Sequence, residues 1–197
     1  MKLIYKGKYH DESQLPVREH PEGYVPFREP QSMSKLALIA NLLAVGILII
    51  AAIPCVLRAR AAYDSMGDFF DHGYWGVLLG IFLSLVCCVP HEFLHAACFR
   101  GEVELYTNLR KGMLFVVGTE DMSRGRLVFM SLLPNLIFGL LPFVLYLIFP
   151  RAAVLAGLGV AALSSSAGDC LNVFNCLTQV PRGAKVYMSG MHSYWYR

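Results

Sequence analysis

Four apolar runs divide the chain, at 36–57, 74–99, 127–149 and 152–177, and each is long enough to cross a bilayer. This pattern predicts an all-α membrane protein of about four transmembrane helices. Before the first run, Pro16, Pro21, Pro26 and Pro30 recur every four or five residues, a spacing that forbids a helix and favours an extended, solvated segment along the membrane surface. Between the second and third runs, Val103, Leu105 and the stretch 114–117 are strand-like, with 108–112 as turn material, so a short β-hairpin is expected there. An exposed edge of such a hairpin is suited to pairing with an extended peptide. The step Phe149-Pro150-Arg151 is so short that the third and fourth runs must be an antiparallel pair. The ending Tyr194-Trp195-Tyr196 reads as an interfacial aromatic anchor. Three regions follow: an N-terminal segment 1–35, a four-span domain 36–178 and a tail 179–197.

Composition agrees with a membrane protein: 56% hydrophobic, 16% charged, mean hydropathy +0.50. Charge adds the orientation. With both termini in the cytosol, fourteen of the seventeen Lys and Arg residues fall on the inner side, as the positive-inside rule requires. The reading is a multi-pass integral membrane protein with both termini cytosolic. The basic residues flank spans without forming a patch or a stacking surface, so no nucleic-acid partner is expected. The six Cys lie in or at the ends of the runs without a CxxC pair and read as reduced, packed thiols. Asp64, Asp68, Asp71 and His72, after the first run, read as a solvated face.

The chemistry sits near the end of the second run, in His91-Glu92-Phe93-Leu94-His95. On a helix the two imidazoles are one turn apart and face one metal ion, for which Zn²⁺ is suited by its nitrogen ligands and open fourth position. Glu92 lies about 100° round the helix, placed to act as general base on a water at the metal without being a ligand. Titratable groups at membrane depth each cost about 2.5–3.5 kcal/mol or more, so three together call for a compensating partner. Pro90 removes a backbone donor just before His91, which either loosens that turn or is absorbed as membrane-helix prolines are. The fourth run turns polar at Ser164-Ser165-Ser166-Ala167-Gly168-Asp169. Asp169 is the only acidic residue within the other three runs, which makes it the natural third ligand, at a depth compatible with the histidines.

His91-Glu92-x-x-His95 followed by Gly168-Asp169-x-x-Asn172 resembles the site-2-protease-like membrane zincins. Closer still is the resemblance to the small bacterial "putative zincin peptidases", a domain of unknown function in which a proline-dotted N-terminal segment, HExxH, Gly-Asp and a Pro-Arg-Gly-like step occur in this order. Here that step is Pro181-Arg182-Gly183. The resemblance implies Zn²⁺ on His91, His95 and Asp169, Glu92 as catalytic base, and cleavage of a membrane protein or peptide within or near the bilayer. Asn172 and Asn135 are the candidates to hold the substrate strand or the oxyanion. Site-2 proteases carry an Asn-Pro motif ahead of the aspartate, whereas here the asparagine follows it. The rival reading is a non-catalytic intramembrane metal-binding or transport protein, which has no need of a carboxylate beside the ligands.

Overall fold

A computed structural model describes residues 1–30 and 32–197. The chain is mostly helical, and it gathers into two compact units, each assembled from separate stretches. One comprises Pro30–His91 and Pro134–Leu171; the other comprises Met1–Glu29, Glu92–Leu133 and Asn172–Arg197.

The first unit is helical. Helix α1 (Met33–Ala62) starts on a Ser32 side-chain cap, and the short α2 (Met66–His72) starts on one from Ser65. Helix α3 (Tyr74–Ala97) runs on past Pro90 and carries its last residues into the second unit. A π-helical turn (Asn135–Leu140) and α5 (Leu141–Ile148) continue α4 (Arg124–Pro134), of which all but Pro134 belongs to the second unit. Among the described residues, three helices are long and apolar enough to cross a membrane: Ser34–Ala62, Tyr74–Ala97 and Arg124–Ile148.

The fourth apolar run departs from expectation. It is a pair, α6 (Ala153–Ser165) and α7 (Ala167–Gln179), bent by 49° at Ser166. The hydroxyls of Ser165 and Ser166 both donate to the carbonyl of Ala162, at 3.1 and 2.8 Å, which offers the backbone an alternative to a continuous ladder. Because of this bend, the straight-helix depth of Asp169 does not apply.

Within this unit α6 packs against α3 backbone to backbone. A Cβ on Gly157 would stand 2.1 Å from the carbonyl oxygen of Val77, and one on Gly80 would stand 2.1 Å from that of Val154. Gly157→Val is accordingly expected to destabilise the protein by about 1–3 kcal/mol, as overpacking does. A thermal unfolding midpoint unchanged from wild type would refute this.

The second unit holds the sheets, and here the all-α expectation needs correction. The predicted hairpin forms, as β3 (Glu102–Asn108) and β4 (Met113–Val117), but it is part of more. Strand β1 (Lys2–Lys8) adds to it in parallel, giving the order β1-β3-β4. A second sheet has the order β2-β7-β6-β5, from β2 (Val25–Pro26), β5 (Met122–Ser123), β6 (Lys185–Ser189) and β7 (His192–Tyr196). The proline-dotted N-terminal segment is extended, as its prolines require, yet it is no solvated tail. Its Tyr9, Leu15 and Phe27 are buried.

Nor are the last aromatics a loose anchor. Tyr194 stacks on Tyr187 at 5.5 Å between centroids, and Trp195 packs on the core of Phe27, Phe99, Val103, Met130, Cys176 and Val186. Each large apolar side chain in such a core contributes about 1.5–3 kcal/mol. Burial and a hydrogen bond to Glu104 push the phenol of Tyr106 up.

Candidate metal centre

The HExxH sequence occupies the last two turns of α3, so its geometry is that of one helix. One ligand atom each from His91, Glu92 and His95 lies within 4.8 Å of the others. The helix ends firmly just beyond: the Arg126 guanidinium donates to the carbonyl of Cys98 and pairs with Glu120 at 2.6 Å.

His95 is buried, and its Nδ1 lies 3.0 Å from the carbonyl oxygen of Met130. A carbonyl only accepts, so Nδ1 carries the proton and Nε2 presents its lone pair. Sequence explains why that carbonyl is available. In a helix it would bond to the amide four residues on, but that residue is Pro134, which has none.

His91 Nε2 lies 3.2 Å from Asp169 Oδ2, with side-chain exposures of 18% and 13%. The bend at Ser166 puts Asp169 in the first turn of α7, where the helix dipole favours a carboxylate. An imidazole lone pair and a carboxylate at this separation hold a proton or a cation between them. The chemistry of the donors fits Zn²⁺: two ligands at 2.0–2.1 Å on a tetrahedral centre stand about 3.3 Å apart.

Glu92 projects toward a different group. Its Oε2 accepts from the backbone amide of Val116, at 3.1 Å. β4 is the last strand of its sheet, and this amide lies on the edge away from β3.

The two asparagines differ. Asn135 is buried at the start of the π-helical turn, its Nδ2 donates to the thiol of Cys170 at 3.7 Å, and its Oδ1 has no hydrogen-bond partner among the described residues. Single π-helical turns of this kind recur at functional sites. Asn172 is exposed on α7. After the first apolar helix, His72 and Asp68 pair with each other at 2.8 Å within α2.

The structure brings together His91, Glu92 and His95, with Asp169 beside His91, and adds two groups that sequence reasoning did not name, the Met130 carbonyl and the Val116 amide. The signal for the first was a proline four residues after Met130. The second, a main-chain group, had none.

Residues 84–185, just over half of the chain, match the family model described as "Putative zincin peptidase". No curated protein and no solved structure matches the chain.

Proposed function

The chain belongs to the family described as "Putative zincin peptidase", and from that premise we propose that it is a zinc-dependent, site-2-protease-like peptidase acting within or at the membrane. The observation that carries this reading is the 3.2 Å approach of Asp169, 78 residues further along the chain, to the first histidine of the HExxH helix. In this reading His91, His95 and Asp169 hold the ion, while the Met130 carbonyl fixes the tautomer of His95. Zinc bound there supplies a Lewis acid that acidifies water and polarises the scissile carbonyl.

The remaining steps belong to the chain's own groups. Glu92, oriented by the Val116 amide, takes a proton from the attacking water and passes it to the leaving amine. An extended substrate lies along the outer edge of β4, whose alternate backbone groups offer strand pairing. Asn135, bonded to the residue beside Asp169, holds the substrate strand or the oxyanion, with Asn172 the second candidate.

The three apolar helices and the bent pair span the bacterial membrane, with both termini cytosolic. Substrates are then membrane proteins or peptides reached from within the bilayer or its surface. The test is comparative membrane proteomics of cells carrying wild type or Glu92→Gln. Peptides that accumulate uncut only in the variant support the reading, and identical proteomes count against it.

A separate measurement addresses the link through Pro134. Pro134→Ala restores an amide able to bond to the Met130 carbonyl, in competition with His95 Nδ1. Zinc affinity is expected to fall about tenfold, the low end for losing an outer partner of a ligand. ¹⁵N NMR of the metal-free protein should show His95 losing its Nδ1-protonated tautomer. An unchanged tautomer with unchanged affinity would separate Pro134 from the site.

A further inference from the structure

Away from the proposed metal centre, the sheet-bearing unit contains a cavity of about 400 Å³ whose charged lining is entirely basic. Arg124 opens α4, while Arg182 and Lys185 flank the turn that leads into β6. That turn is set by Pro181-Arg182-Gly183: the Ala184 amide donates to the Pro181 carbonyl at 3.3 Å, and Gly183 has φ +85°. Arg182 therefore sits at the second position of a type II turn, held outward by backbone geometry.

No ion pair satisfies any of these three cations among the described residues, although other arginines of the same unit are paired, Arg18 with Asp121 and Arg126 with Glu120. One Arg124 nitrogen, Nη2, donates to the carbonyl of Leu177 at 2.7 Å, which fixes the guanidinium in the wall. Its Nε is shut off from solvent and has no hydrogen-bond partner among the described residues. Ser123 belongs to the same lining. Gly125 and Gly183 add no bulk, and a Cβ on either would meet nothing within 4 Å.

The remaining lining is apolar, from Val128 and Leu177. These belong to the first turns of α4 and the last turns of α7, where apolar helical runs begin and end. A lining that combines cations with aliphatic groups matches a phosphate attached to an apolar body. We propose that this cavity binds a phosphate group, that of an anionic phospholipid headgroup or free phosphate. The proposal rests on the membrane reading above only for the lipid as source, and it does not involve zinc or peptide hydrolysis.

The test uses the full chain, purified in non-ionic detergent and titrated with short-chain phosphatidylglycerol, short-chain phosphatidylcholine and inorganic phosphate. The readout is the thermal unfolding midpoint. Saturable stabilisation by phosphatidylglycerol, absent with the zwitterionic lipid, is expected. Arg182→Gln/Lys185→Gln should weaken it about thirty-fold, given about 1 kcal/mol for each basic residue near an anionic lipid. Lys8→Gln/Arg110→Gln removes the same charge from exposed positions elsewhere and should leave it unchanged. If inorganic phosphate binds saturably with the same loss in the cavity pair, the site is upheld and its source is free phosphate. Absence of saturable binding by both anionic probes, or an equal loss in the remote pair, overturns the proposal. A chain that binds phosphate but holds no zinc would defeat the peptidase reading alone.

Discussion

Asp169→Ala is expected to strip the purified protein of most of its zinc. Two imidazoles on one helix supply two of the three protein ligands usual in a catalytic zinc site, and Asp169 is the carboxylate found beside His91. Removing a ligand outright should weaken binding by more than the 10–100-fold that follows from losing an outer partner. His91→Ala and His95→Ala should behave alike, whereas Asp169→His restores a donor and should retain part of the metal. Asp68→Ala and Asp71→Ala, in α2 and separated from the motif by nearly five turns of α3, should leave zinc unchanged. Elemental analysis decides the matter. Wild-type zinc content in Asp169→Ala would reduce the 3.2 Å contact to a shared proton between imidazole and carboxylate.

Glu92→Gln should separate metal binding from turnover. Hydrolysis is expected to fall by about 10²–10⁴-fold, the contribution of a positioned general base, with zinc content largely kept. The substitution is close to isosteric, and a glutamine amide oxygen still accepts from Val116, so the turn and the strand edge should stay in place. A metal carrier without catalysis would show no such split. Equal activity of wild type and variant on a peptide that the wild type cuts would remove Glu92 from the mechanism.

The candidate centre was unusually legible because titratable side chains stand out in an apolar run. His91, Glu92 and His95 stood out by type and spacing, and Asp169 as the one acidic residue in the other apolar runs. What escaped was main chain: the carbonyl of Met130 is marked only by the proline four residues on, and the amide of Val116 has no signature in residue identity. Nor does residue type announce the break at Ser166, where the Ser165 and Ser166 hydroxyls turn back onto the Ala162 carbonyl. The sheets were legible only as one hairpin. β3 and β4 are neighbours in sequence, but the partner of β3 on its other side lies 100 residues upstream, and β2 and β5 are two residues each, too short for an alternating pattern.

Those distant pairings govern how the sheet-bearing unit can be made. Val25 pairs with Trp195 and Pro26 with Tyr194, so a strand synthesised near the start has no partner until nearly 170 further residues have been added. Closing so long a loop is entropically slow, and topologies dominated by such contacts fold late. During translation the HExxH helix therefore emerges, and has its chance to enter a membrane, while β2 still lacks its partner strand. The sheet β2-β7-β6-β5 is then completed only once β7 has been made, long after β2.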